Sequence, residues 1–528
     1  MRRYFHSTVV AVLVSAIATI SPAAQRRGKP PLGPADVDAI ATLLMLEDAR
    51  RFDQPVLEGL AKSAHPEVRR RTVQAIGRIA NIAGLGLLEK AQREADADVA
   101  ATAVWAAGQL RAAAAIGWLS VVLSNAKTAE PVAREAAIAL GKIQSPEARA
   151  ALARYLSAAP GNAPASVVGE ALLSIGRFPA GGDLAPILRW TRSRDVEIRW
   201  RATWALARPR DPASVTELLR LSTDPSADVR VWAVRGLIPH PNLDAGPAAA
   251  RLRDAVRDQD RRVRTEALRA LGQHDDEASV KIVMEMLDAQ DTWLSVSAAE
   301  ALARQQQRAD VVAARLATAA APGRPLSLRL TARQSLTRLG APGKTALDAL
   351  STEGLPPAAT PGPRGPRPQP QLRSEAEYRQ IVERWIVPDY NGAPKPRALW
   401  ETPRGSIELE LYPGDSPLGV DYFVRLTESG EIVGTEFTRV VPNFVAQQRG
   451  IRNDVVLRDE VSRRGLTRGN LSWASAGLDT GRPGYTLGVT PQPHNEGNFT
   501  ALGRVVRGMD VLERIELGDA VTAARMVR

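Results

Sequence analysis

No cysteine occurs in the 528 residues, which excludes disulfides, thiolate nucleophiles and Cys-ligated metals together. Histidine is nearly as scarce, with five scattered copies and no pair at metal-ligand spacing. Neither a glycine-rich phosphate loop nor a Gly-x-Ser-x-Gly frame is present. Aromatic residues make up only 5%. Beyond the N-terminal stretch no apolar run is long enough to cross a bilayer. The fold therefore has to be held by its hydrophobic core alone.

What is abundant is alanine and arginine, both good helix formers. The length calls for two or more domains. The 69 Lys and Arg outnumber the 58 Asp and Glu, for a formal charge of +11. Such a balance raises the question of nucleic acid. The arginines are spread along the chain, however, and the N-terminus reads as an export signal. Arg2 and Arg3 precede an apolar stretch, Val9 to Ile20, that is too short to span, and Ser21-Pro22-Ala23-Ala24 supplies small residues for cleavage. Residues 1–24 are expected to be a signal peptide, with an uncleaved anchor as the alternative. The mature chain is expected in the periplasm or outside the cell, with no transmembrane segment and no nucleic-acid partner.

A phrase repeats through the first two thirds. Asp228-Val229-Arg230 is followed by Ala233-Val234-Arg235-Gly236-Leu237, and Arg262-Val263-Arg264 by Ala267-Leu268-Arg269-Ala270-Leu271-Gly272. Its anchors are Val68, Val99, Val132, Val167, Ile198, Val229, Val263, Leu294 and Leu328. They recur about 31–35 positions apart, a helical-repeat period. Apolar residues at helical spacing follow each anchor, and a second amphipathic stretch precedes it. Each unit is a helix pair that buries its apolar face only against its neighbours, so the array is an all-α superhelical solenoid. The phrase resembles HEAT-like repeats, and residues 33–351 are assigned to them, with a protein partner expected on the concave surface. Arg69, Arg199, Arg230, Arg264 and Arg329 start the phrase. They are read as a stacking device rather than a ligand ladder, and Trp105, Trp200, Trp204, Trp232 and Trp293 as core or groove filler.

Residues 352–373 form a Pro-rich spacer that can be neither helix nor strand. Ser374 is an N-cap for a short helix, and 374–397 connect it to the last domain. From residue 398 the period changes: Ile407, Leu409 and Leu411 alternate with polar residues, as in a half-buried strand. Asp415-Ser416-Pro417 starts a helix. Further strands are expected around 437–445, 471–474, 485–489 and 502–506, with a second helix at 511–515.

The run Phe437-Thr438-Arg439-Val440-Val441-Pro442-Asn443-Phe444-Val445-Ala446-Gln447 fills every fixed position of the cyclophilin family's Phe-x-Arg-Val-x-Pro-x-Phe-x-x-Gln phrase. Asp459-Glu460, the strand Gly469 to Gly477, and Gly503-Arg504-Val505-Val506 follow in the family's order. The resemblance spans 398–528 and implies a closed β-barrel with two helices. It implies peptidyl-prolyl isomerisation of proline-containing clients, with no metal, cofactor or covalent intermediate. Arg439 would be the donor to the prolyl nitrogen and Gln447 would hold the substrate backbone. Phe444, Val445 and Ala474 would line the proline pocket, with Ser475, Thr486, His494 and Phe499 around it. Departures stand at Ser475, Gly484, Thr486, His494, Phe499, Gln448 and Arg449, where the family usually has other residues. The expected function is assistance to the folding or remodelling of exported proteins; the alternative is a non-enzymatic scaffold with a degenerate cyclophilin domain.

Overall fold

The computed structural model describes residues 29–241, 243–355, 372–448, 450–451 and 455–527. The expected signal peptide, and residues 356–371 of the expected spacer, lie outside the described residues.

Helices run in pairs from Pro34 to Asp348. Every repeat anchor is the third residue of its helix, from Val68 in Pro66–Ile79 to Leu328 in Leu326–Arg338, and all nine are buried. These helices pack one after another as an inner layer. Shorter helices such as Leu85–Ala91 and Val215–Leu221 form the outer one. The glycine that closes the phrase sets the spacing. A Cβ on Gly108 would lie 2.7 Å from the Ala139 Cα, and one on Gly272 equally close to the Ala301 Cα. The inner helices touch backbone to backbone at those points.

The arginines that start the phrase are spent on stacking. Arg230 pairs with Asp258 of the next repeat at 2.8 Å and donates to the Asp224 carbonyl at 2.9 Å. Arg199 repeats the pattern with Asp224 and the Ser193 carbonyl, and Arg69 with Glu94 and the Ser63 carbonyl. Arg264 and Arg329 bond loop carbonyls in the same way. One side chain thus closes its own loop and holds the neighbour.

Beyond the spacer, Ser374 caps Glu375–Ile381 through a capping box with Glu377. The helix continues through one π-turn, Val382–Ile386, to Tyr390. Eight strands follow: β1 Arg397–Thr402, β2 Gly405–Leu411, β3 Phe437–Val441, β4 Val445–Gln448, β5 Asn470–Ala474, β6 Arg482–Gly488, β7 Ala501–Arg507 and β8 Ala523–Val527. They form one curled sheet in the order β3-β4-β6-β5-β7-β2-β1-β8. In place of the expected closure by strand pairing, the ends meet through loop bonds. Phe437 N donates to Asp519 O at 2.8 Å and Val521 N to Thr435 O at 3.0 Å. Pro417–Glu428 is the expected first helix, with Pro at its start. The second is a single turn, Met509–Leu512. The sheet encloses Trp400, Phe423, Phe437, Trp473 and Tyr485, all buried.

The concave face expected to receive a partner protein holds the chain's own C-terminal domain. Val37, Ile40, Ala41 and Leu44 of the first helix, with Trp293, belong to the same apolar core as the sheet. Polar ties run along the whole inner layer. Arg50 pairs with Asp479 at 2.6 Å, Arg463 with Glu135 at 3.4 Å, and Arg177 donates to the Pro493 carbonyl at 2.7 Å. Thr292 donates to Glu516 at 3.0 Å, and Leu517 N donates to Ser327 Oγ at 2.9 Å. Glu47, Glu67, Glu135, Glu170 and Glu266 are acids buried on the inner layer, where such groups require partners; the C-terminal domain supplies Arg463 for Glu135 and Asn443 for Glu266.

One of these acids gives the docked form an acid limit. Burial alone would raise the Glu67 carboxyl, but Arg70 at 2.6 Å and Arg71 at 2.8 Å hold it down at about 2. Arg71 also donates to the Gly414 carbonyl of the C-terminal domain at 3.1 Å. A depressed carboxyl pKa means that the unfolded chain binds more protons than the folded one. Its stabilisation is present above pH 4.5 and lost as the pH falls toward 2, an effect of about 3 kcal/mol. Urea midpoints measured from pH 6 to 2.5 should fall more steeply for the wild type than for Glu67→Gln; parallel curves would overturn this assignment.

Candidate active site

The eleven-residue phrase does not form the single strand expected at 437–445. It folds back as the β3–β4 hairpin, because Pro442 has no N–H to pair and Asn443 adopts φ 51°, a left-handed conformation that asparagine tolerates better than most residues. The reversal brings the two ends of the phrase together. Arg439 and Gln447, eight positions apart, become direct cross-strand partners, and Arg439 Nη1 donates to Gln447 Oε1 at 3.3 Å. The Arg439 guanidinium stands 5.6 Å from the centre of the Phe444 ring.

Strand alternation sorts the remaining residues. Ala446 and Leu487 point into the core, so Gln447 and Thr486, paired across β4 and β6, project to the opposite face. Val445 is buried beside them. Ala474 ends β5 and Ser475 follows it; the Ser475 Oγ is buried with no hydrogen-bond partner among the described residues. The His494 ring stacks on Phe444 at 6.1 Å. Phe499 is placed differently, against the small apolar cluster of Tyr412, Leu466 and Ala501. Gln448, where the family usually has glycine, turns inward and bonds Thr435 at 3.1 Å. Arg449 lies outside the described residues.

The solenoid completes one wall, which the sequence did not disclose. Asn443 is 1% exposed and donates to Glu266 Oε1 at 2.9 Å, a contact between the turn before Phe444 and an inner helix. Glu266 is held in turn by Arg269 at 3.0 Å. The only advance signal was an acid inside the apolar stretch Val263-Arg264-Thr265-Glu266-Ala267-Leu268. His494 faces a cavity of about 290 Å³ whose other side is solenoid. Burial, reinforced by Arg208, Arg235 and Arg177, pushes its imidazole down to about 4, so the ring is neutral at ordinary pH. Substituting Asn443 by alanine removes the tie and strains the turn. Destabilisation of about 1–3 kcal/mol is expected, read from the shift in urea midpoint, whereas Asn443→Gly should recover the part due to strain. Equal losses in both would mean that backbone strain plays no part.

Relatives and family matches agree with this geometry. The family model described as cyclophilin type peptidyl-prolyl cis-trans isomerase/CLD matches residues 398–528, and that for HEAT repeats matches 84–172 and 220–303. A peptidyl-prolyl cis-trans isomerase of Helicobacter pylori is 33% identical over 134 residues, covering 24% of this chain and 82% of the relative. Peptidyl-prolyl cis-trans isomerase B of Bacillus subtilis is 33% identical over 128 residues, covering 23% and 90%. The crystal structure of a Cryptosporidium parvum cyclophilin type isomerase aligns with 25% of this chain and 98% of that one, at 18% identity and a TM-score of 0.24. Through its C-terminal domain, docked on HEAT repeats, the chain belongs to the cyclophilin-type peptidyl-prolyl cis-trans isomerase family.

Proposed function

We propose that this is an exported prolyl isomerase that assists the folding or remodelling of other exported proteins, with Arg439 as the group that acts on the prolyl bond. Amide resonance sets a barrier of about 18–20 kcal/mol to rotation. When the bond twists, the nitrogen lone pair is no longer shared with the carbonyl and can accept a hydrogen bond. A donor aimed at that nitrogen stabilises the twisted state more than the planar one, which is the condition for catalysis. Arg439 supplies a permanently charged, fixed donor. Gln447 holds the substrate backbone, and Phe444, Val445 and Ala474 form the apolar floor, with Ser475 and Thr486 making one wall polar. Phe499 acts behind the pocket, through packing.

The observation that carries this reading is the hairpin register, which sets Arg439, Gln447 and Phe444 on one another. Prolyl cis/trans exchange on X-Pro peptides, followed by NMR with the full chain, tests it. Acceleration is expected. A folded protein that binds these peptides without accelerating exchange would be a peptide scaffold instead. Export is supported by the charge and apolar pattern of residues 1–24. It is tested by the mass of the mature N-terminus in a fractionated host: an unprocessed cytoplasmic chain would refute it.

A further inference from the structure

The cavity that His494 shares with the solenoid has a composition the prolyl reaction does not explain. Arg208, Arg210, Arg235, Arg269 and Arg304 line it, with Trp204 and Trp232 at its base. Glu266 is the one acid among the described lining residues, and it is already shared by Asn443, Arg269 and Arg235. Arg269 has a second acid in Glu300, at 3.5 Å. Arg208, Arg210 and Arg304 have no carboxylate within ion-pair distance among the described residues. They contrast with the arginines that start each repeat, nearly all of which close on an acid or a loop carbonyl.

The clustering is also unfavourable to the free protein. Burial and the neighbouring Arg235 and Arg210 lower the affinity of Arg208 for its proton, and Arg304 is lowered by burial and by Arg210. Arg208, Arg210 and Arg304 are exposed, and like charges gathered at the mouth of one cavity repel one another and attract an anion. The cavity adjoins the reaction centre. From Arg439 the path runs over Phe444 to His494, whose ring is 6.1 Å from that of Phe444. An extended peptide advances about 3.3 Å per residue, so a client with its proline on Phe444 reaches the arginines about two to four residues away. A volume of about 290 Å³ admits side chains and excludes a duplex.

We propose that these solenoid arginines form an acidic-residue subsite of the isomerase, so that its preferred clients carry Asp or Glu about two to four residues from the proline. The inference rests on the prolyl isomerase reading and names its substrate class. It also gives the docked arrangement a purpose, because docking brings the solenoid's arginines beside the prolyl site.

The test uses the full chain and blocked peptides with a single proline and Glu, Gln or Lys placed two, three or four residues to either side. At low ionic strength kcat/KM for the best Glu peptide should exceed that for its Lys counterpart by about tenfold, shrinking as salt is raised. The double substitution Arg208→Gln, Arg304→Gln should bring that ratio close to one, and Arg208→Glu with Arg304→Glu should invert it. Arg93→Gln, which removes one positive charge from a distant exposed pair with Glu89, should leave the ratio unchanged. A flat charge preference with active wild-type enzyme would overturn the inference and spare the isomerase reading. If no peptide is isomerised, that reading fails, and anisotropy of the same peptides still decides the subsite. Loss of Glu-peptide binding in the Gln variant supports it, and equal binding of Glu and Lys peptides overturns it. Equal competition by a proline-free polyglutamate also overturns it, since the site would then be a general polyanion trap.

Discussion

Arg439→Ala should lower catalysed prolyl exchange by about 10²–10³-fold, the usual cost of removing one charge-stabilising donor from a transition state. The substitution is clean because of where the side chain sits. Arg439 is exposed and, among the described residues, makes one side-chain hydrogen bond, to Gln447, so the urea midpoint should move by no more than about 0.5 kcal/mol. Loss of catalysis without loss of fold separates a chemical role from a structural one. Arg439→Lys should fall between, since an ammonium keeps the charge but loses the planar fork that aims two donors. An Arg439→Ala enzyme that exchanges prolines at the wild-type rate would remove this residue from the mechanism and leave only the apolar floor to do the work. Gln447→Ala should raise KM more than it lowers kcat, because a backbone contact is present in ground and twisted states alike.

The largest expected effect on stability is at Arg78, a residue far from the reaction. Its side chain is 1% exposed and pairs with Glu47 at 2.7 Å. The same guanidinium donates to the Val461, Asp415 and Glu460 carbonyls, all in the C-terminal domain. Arg78→Met keeps the stem but leaves a buried carboxylate and three carbonyls unpaired, which should cost about 3–5 kcal/mol. Lysine should rescue poorly, having no fork with which to reach four acceptors. The form of the transition matters as well as its midpoint. In the wild type, helix circular dichroism and the fluorescence of the buried Trp400 and Trp473 should change together. In Arg78→Met they should separate, because the joint between the two domains fails first. Coincident transitions with an unchanged midpoint would show that the apolar contacts of the first helix and Trp293 hold the domains together without Arg78.

The repeats were legible because every anchor sits at the same place in its helix and is buried there, so period and burial say the same thing. The hairpin was legible as a phrase but not as a shape: Val440-Val441 and Val445-Ala446 read as one apolar run, and the reversal depends on Pro442 and on the conformation of Asn443. Strands β1 and β8 escaped notice for different reasons. Leu399 and Glu401 alternate with buried neighbours only weakly, and Ala523 to Val527 has no clear polar–apolar rhythm until it is paired with β1. The docking of the domains left the faintest trace. The buried acids Glu47, Glu67, Glu135, Glu170 and Glu266 look in sequence like ordinary polar positions on amphipathic helices. Only distant partners such as Arg463, which meets Glu135 from 328 residues away, and Asn443, which meets Glu266, reveal that the polar face is an interior one. The first helix carried a further hint in Leu43-Leu44-Met45-Leu46, apolar all round. Leu43 and Leu46 enter the repeat core while Ile40 and Leu44 enter the sheet core, and a helix with two apolar faces is one with two neighbours.

That helix has a consequence for the order in which the molecule can be made. Pro34–Ala49 is among the first described segments to be synthesised, yet the residues that cover its second face, such as Tyr378, Ile381 and Val382, are more than three hundred positions downstream. At about 5–20 residues per second, that face waits some tens of seconds for its cover. During the wait it is an adhesive surface at the open end of a growing superhelix, available to chaperones or to the wrong chain. An isomerase of this construction is therefore itself a demanding client, whose earliest helix depends on its latest domain.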